Sequence, residues 1–314
     1  MSRIHEALKK AEQERAAIQS TDAIAPAPEA TPAVRERRNG SPAPAPEVLA
    51  RPAVVVPPPG DYLRFDDLRQ HCAHPQWHLD PNMNVFFNSE VGTHGAEQFR
   101  TLRSRLYQLR SNQPLRTLLI TSAIPTEGKT FVASNLAQAI VRQPDRRVLL
   151  IDADLRRPRL HVQLGAPLGP GLSDYLRGEA DEMAVIQHGQ EGNLCLIAGG
   201  NEMTDPSELL SNGRLKILLD RMTPVFDWVI LDSPPCLPVA DAGILANLCD
   251  GVLMVVRSGT TPAETAQRAC QELKDKNLIG AVLNAVDETD LGSSYYYHAY
   301  GQNYGNNGAR DALK

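Results

Sequence analysis

The sequence predicts an α/β protein whose core is a doubly wound, mostly parallel sheet with helices on both faces. Three features of residues 97–290 predict it. Short apolar runs recur along the stretch: TLLITS, VLLIDAD, CLIAGG, WVILDS, GVLMVV and IGAVLNAV. Their hydrophobicity is continuous rather than alternating, the mark of strands covered on both faces. Helical stretches and turn residues separate one run from the next, so successive strands need crossover connections and lie parallel.

The elements around this core follow in chain order. In residues 1–20, Ile4, Ala7, Leu8 and Ala11 stand at i, i+3, i+4, i+7 with Ser2 as a cap, which predicts a short amphipathic helix, either docking on a partner or fraying in solvent. Residues 21–60 are Pro, Ala, Val and Arg without a helical or alternating period. They cannot offset their ordering entropy by burial and are expected to be a disordered linker. Residues 61–96 read as irregular, with Trp77 and Phe86 expected to pack on the core. His71, Cys72, His74 and His78 invite a zinc reading there, but no second ligand pair at finger-like spacing follows. A helix, EQFRTLRSRLYQLR, then leads from Glu97 into the first strand. After the core, residues 291–314 form a Gly/Ser/Asn-rich segment expected to be a flexible tail. It carries five of the eight tyrosines: Tyr295, Tyr296, Tyr297, Tyr300 and Tyr304.

Composition excludes some function classes. A net charge of -5 gives no general attraction to nucleic acid, and no such partner is expected. Cys72, Cys195, Cys236, Cys249 and Cys270 are scattered, odd in number and never in a C-x-x-C pair, which fits free thiols in a reducing compartment. The opening residues hold no apolar export region and the longest apolar runs are strand-length, so no membrane span is expected and the chain reads as cytoplasmic.

The chemistry sits at the ends of the runs. Ala123 to Thr130 reads A-x-x-x-x-G-K-T, the P-loop pattern, between a strand and the helix FVASNLAQAIV. Backbone N–H groups and the helix N-terminus then converge where phosphates would lie. Gly128 permits close backbone approach, Lys129 supplies a point charge and the Thr130 hydroxyl is the expected magnesium ligand. Asp152 and Asp154 close the second run and face the crevice in which open α/β sheets bind ligands, although either could instead cap the next helix, Asp154 the more readily. Asp232 closes the fourth run in the Walker-B form that holds magnesium. One lysine and three carboxylates around a metal-nucleotide suffice for phosphoryl transfer if one carboxylate takes the acceptor's proton.

Together the P-loop, the DADLRRP segment and the LDSPP segment resemble the P-loop ATPases that include the Min/Par partitioning proteins and the bacterial tyrosine kinases. The partitioning proteins carry a signature lysine where this chain has Ile124, whereas Pro125 and Glu127 before the Gly-Lys and the tyrosine-rich tail look like the kinase form. DPSELLSNGR, ADA (Ala240–Ala242) and VLN (Val282–Asn284) also resemble kinase text. The resemblance implies that Pro125, Thr126, Glu127, Gly128, Lys129, Thr130, Phe131 and Asn284 bind ATP, and that Thr130, Asp152 and Asp232 order Mg2+. It further implies that Asp152 accepts the tyrosine proton with Asp154 in support, and that the tail tyrosines are the phospho-acceptors. Glu97, Arg100 and Arg103 match an E-x-x-R-x-x-R pattern associated with ring-like self-assembly, against the simpler reading of a solvated, intrahelically paired face. Arg156, Arg157 and Arg159 read as contacts to a neighbouring subunit or to phosphate, or as a solvated loop. Relatives without a membrane segment depend on a membrane-bound activator in polysaccharide export, which implies recruitment to the inner face of the membrane. A partitioning-type ATPase that switches oligomeric state, and a binding module with nucleotide as a structural cofactor, are the competing functions.

Overall fold

The computed structural model describes residues 63–87, 94–190 and 192–286. The helix expected in residues 1–20, the linker expected in 21–60 and the tail expected in 291–314 lie outside them. Seven strands form one sheet: β1 (Thr117–Ser122), β2 (Arg147–Asp152), β3 (Ile186–His188), β4 (Asn193–Ile197), β5 (Trp228–Asp232), β6 (Gly251–Arg257) and β7 (Leu278–Asn284). Their order is β3-β4-β2-β5-β1-β6-β7, and every neighbouring pair is parallel except β3 with β4.

The apolar runs are continuous because both sheet faces are covered. Leu119, Leu149, Ile151, Val229 and Leu231 enter one buried cluster, with Leu215, Leu218 and Met222 of the helix Arg214–Met222. Their strand neighbours Leu118, Ile120, Val148, Leu150 and Ile230 enter the other, under the helices His94–Asn112 and Lys129–Val141. Alternate residues of one strand thus serve opposite layers. Trp228 is wholly buried, with Tyr107 edge-on at 5.7 Å and the Arg110 guanidinium over its ring at 5.1 Å.

Residues 63–87 contain a helix, Phe65–His71, that sends Phe65 and Leu68 into the first cluster, whereas Phe86 enters the second. Between them the chain passes the β3 edge, where the Ala73 N–H donates to the Ile186 carbonyl at 3.2 Å and the His188 N–H to the Ala73 carbonyl at 2.8 Å. The Trp77 ring packs on Gly189. Among the described residues no His, Cys, Asp or Glu cluster could hold a metal ion by itself, and His74 turns its ring to the Arg69 carbonyl. No helix among them is long and apolar enough to cross a membrane.

Candidate active site at the carboxyl ends of the central strands

Register brings the acidic residues together. In the β2–β5 ladder Asp152 lies directly beside Asp232, and Asp232 in turn pairs with Ile120 of β1. The turn Ala123–Gly128 leaves β1 at that same edge and opens the helix Lys129–Val141, whose first intrahelical bond runs from the Val132 N–H to the Gly128 carbonyl at 2.9 Å. The N–H groups before Val132 have no intrahelical acceptor and point to the edge where the carboxylates stand.

The Lys129 ammonium donates to Asp154 Oδ2 at 2.7 Å, both side chains being nearly buried. Burial disfavours the lysine's charge, but Asp232 and Asp154 outweigh it and raise its pKa. Lys129 is therefore a held cation with two N–H donors left over. The Asp154 Oδ1 accepts the Arg157 N–H at 3.1 Å. Asp152 is fully buried, and its Oδ2 accepts the N–H groups of Arg159 and Leu160, both at 2.9 Å, at the start of the helix Leu160–Leu164. The capping role that competed chiefly at Asp154 thus falls to Asp152, because β2 ends at Asp152 and the loop folds back over this last carboxylate. Its other oxygen has only a long contact, 3.3 Å from the Asp154 N–H. Burial, then the neighbouring Asp232, hold the Asp152 carboxyl well above the usual carboxylate range.

Asp232 differs from both. It is 1% exposed, and neither carboxylate oxygen accepts a hydrogen bond. Burial pushes its pKa up to about 6, against the pull of Lys129 and the Thr130 hydroxyl, which lies close but outside hydrogen-bonding geometry. A buried carboxylate without a donor is costly unless a cation completes it. This orphaned pair of oxygens beside a hydroxyl fits the donor set of a hard divalent cation such as Mg2+.

The remaining expected residues have mixed placements. Pro125 and Thr126 are exposed on the crest of the turn, Thr126 with φ 69°. Gly128 has φ 94°, and a Cβ there would stand 2.1 Å from the Asn284 carboxamide nitrogen, so only glycine fits. Asn284, at the end of β7, donates that nitrogen to the Glu127 carbonyl at 2.8 Å. The Phe131 ring packs edge-on against Phe99 at 5.9 Å, in the layer beneath the site. Glu127 is buried, its carboxylate turned inward to accept from the Ile124 N–H and the Thr261 hydroxyl.

Glu97 and Arg100 pair with each other on the helix surface, whereas Arg103 donates to the Ala139 carbonyl at 2.5 Å. Of the basic run, Arg156 is engaged within the protein. It grips the buried Asp241 through Nε at 2.6 Å and Nη2 at 3.1 Å, and donates to the Thr204 carbonyl at 2.5 Å. Arg156, Asp241, Arg257 and Thr261 support the site; Arg156 and Asp241 lie in segments the sequence marks, the DADLRRP run and ADA, whereas no local pattern marks Arg257 or Thr261. All four stand at or just beyond the carboxyl ends of β2, β5 and β6, the strands beside the site.

No family model matches the chain. It is 35% identical over 223 residues to the tyrosine-protein kinase YwqD of Bacillus subtilis, covering 70% of this chain and 93% of that one. It is 34% identical over 221 residues to the succinoglycan biosynthesis transport protein ExoP of Rhizobium meliloti, of which it spans only 28%. The kinase domain of Escherichia coli tyrosine kinase ETK superposes with a TM-score of 0.61 at 37% identity, over 64% of this chain and 79% of that domain.

Proposed function

The chain belongs to the bacterial tyrosine kinases and is a protein-tyrosine kinase, and from that premise we propose that it is an autokinase, moving the γ-phosphoryl group of Mg-ATP onto the tyrosines of its own tail. The observation that carries this reading is the grouping of Lys129, Thr130, Asp152 and Asp232 at one sheet edge, with the Asp232 oxygens buried and unpartnered.

In this reading the helix N-terminus and the Lys129 ammonium bind the phosphates, and Asp154 orients Lys129 through its 2.7 Å contact. Asp232 and Thr130 would hold Mg2+, which when bound offsets the charge developing on the transferred group. Asp152 takes the proton from the tyrosine hydroxyl as the tyrosine oxygen–phosphorus bond forms and the bond from phosphorus to the departing ADP oxygen breaks. A carboxylate with its pKa raised by burial is the better acceptor for that proton. A positioned general base contributes about 10²- to 10⁴-fold. The rest of the acceleration rests on positioning and charge.

Tyr295, Tyr296, Tyr297, Tyr300 and Tyr304 are the proposed acceptors. Each phosphate would add roughly -1.5 to -2 charges, so repulsion could release subunits held together by tail docking. The Glu97–Arg100 surface is the proposed face for self-association into an oligomer or ring, and a membrane-bound polysaccharide co-polymerase the proposed activator, at the inner face of the membrane. The polysaccharide role is supported by the likeness to ExoP, a biosynthesis transport protein. The test is incubation with labelled Mg-ATP, with and without such an activator, followed by mapping of phosphotyrosine. Labelling within residues 295–304 that is lost in Lys129→Met supports the autokinase. Phosphate release without tyrosine labelling, activator present, would instead assign a nucleotide-driven switch of the partitioning type.

A further inference from the structure

The P-loop pattern leaves the residue before Gly128 free, and here it is a glutamate that is 1% exposed. A carboxylate facing a triphosphate would repel it, and this one faces the other way. Glu127 Oε2 accepts the Ile124 N–H at 2.7 Å, which closes the turn on itself. Oε1 accepts the Thr261 hydroxyl at 2.6 Å and the Arg257 N–H at 3.3 Å, which ties the turn to the end of β6. Two further bonds cross the same seam: the Arg257 guanidinium donates to the Thr126 carbonyl at 3.3 Å and Asn284 to the Glu127 carbonyl at 2.8 Å.

The turn needs such support. Thr126 is β-branched and sits at φ 69°, a conformation that persists only where the surroundings impose it. Among the described residues Glu127 makes no ion pair, so its buried charge is balanced by these N–H and O–H donors alone. A buried carboxylate with three donors converging from two segments is a rigid joint, since losing any one donor leaves charge uncompensated.

We infer that Glu127 is a positioning residue: its carboxylate latches the phosphate-binding turn to the Arg257–Thr261 segment and holds the turn in the shape that accepts nucleotide, without touching the nucleotide. The inference rests on the reading of 123–130 as the ATP site. Its consequence is that Thr261, which lies on the far side of the latch, sets nucleotide affinity through Glu127.

The experiment compares wild type, Glu127→Gln, Thr261→Val and the double variant in the full chain. It measures the Kd for Mg-ADP by calorimetry and the KM for ATP and kcat of phosphotyrosine formation. Glu127→Gln puts an NH2 group against donors and is expected to weaken Mg-ADP and raise KM by about tenfold or more, with kcat changed less than about twofold. Thr261→Val should weaken binding about threefold, and the double variant should match Glu127→Gln alone because both cut one joint. Unchanged affinity in Glu127→Gln overturns the inference. So does a loss in Glu127→Gln that Thr261→Val does not share, which would mean direct contact with nucleotide. If Glu127→Gln shows no cooperative thermal transition, Thr261→Val decides alone, and an unaltered KM there overturns the latch. Wild-type protein that takes up no Mg-ADP would overturn the site itself, and the latch with it.

Discussion

Replacing Arg156 by Met should destabilise the ligand-free protein far more than loss of an ordinary surface arginine. Asp241, its partner, is fully buried at the start of the helix Asp241–Ala246 and accepts two guanidinium bonds, at 2.6 and 3.1 Å, plus the Ser207 hydroxyl at 2.7 Å. The pair holds Arg156 charged, chiefly through its hydrogen bond to Asp241, and the arginine side chain is 27% exposed. Removing Arg156 leaves the carboxylate with one donor, and breaking a buried pair from one side costs about 3–5 kcal/mol. Solvent reaches part of the arginine side chain, so the low end, about 3 kcal/mol, is expected. For a domain of this size that is a fall in Tm of roughly 6–12 °C. The assay is reversible urea and thermal unfolding of wild type, Arg156→Met, Asp241→Leu and the double variant. The double should be more stable than Arg156→Met, because no buried charge is then left over. A loss below about 1 kcal/mol in Arg156→Met, or strictly additive losses in the double, would refute the reasoning. The same clamp holds the loop between Asp154 and Leu160, so Arg156→Met should also lower kcat where protein is still folded.

Asp232→Asn is expected to stabilise metal-free protein by about 1–3 kcal/mol, since it removes a buried charge that no donor meets, while abolishing Mg2+-dependent phosphorylation. Thermal unfolding in a chelator and a kinase assay check the two halves, and a destabilised variant would show that the oxygens are satisfied after all. Gly128→Ala should weaken Mg-ATP binding at least about tenfold, from strain at φ 94° and a clash with Asn284. Gly213→Ala, at φ 84° with nothing within 4 Å, should cost about 1 kcal/mol of stability and leave binding alone. Calorimetry and melting curves on both separate strain from clash.

Most of the sheet is legible in the sequence because its strands are buried on both faces, so each reads as an apolar run without a period to decipher. β3 escapes such a reading for the opposite reason. Ile186–His188 is three residues long and mostly polar, and it pairs antiparallel at an edge, where the neighbouring Ala73 segment rather than its own composition holds it. The helix Phe65–His71 is equally hard to see. Its seven residues carry only Phe65 and Leu68 inward, too short a repeat to stand out among the histidines around it. Helix boundaries shift as well: the expected start at Glu97 lies three residues inside a helix that begins at His94.

The site is legible to the degree that its chemistry depends on strand ends. Lys129, Asp152 and Asp232 can be placed because packing alone seldom puts a carboxylate or a loop lysine at the carboxyl end of a buried parallel strand, and the register sets the two aspartates side by side. What a linear reading lacks is direction. Asp152 and Asp154 stand two residues apart, yet the folded loop gives one the helix start and the other the lysine. Glu127 sits inside the motif and looks outward in a linear reading, but the turn at Thr126 rotates its carboxylate into the protein, toward a segment 130 residues away in sequence. Arg156 belongs to a cluster of three arginines, and its guanidinium meets the buried Asp241, because the β2–β5 pairing brings the chain after Asp152 against the chain after Asp232. In each case the residue type announces charge and the backbone conformation decides what the charge meets. Sheet order therefore predicts where further supporting residues lie: on the segment leaving β6 and at the carboxyl end of β7, which meet the phosphate turn from the side opposite the aspartates.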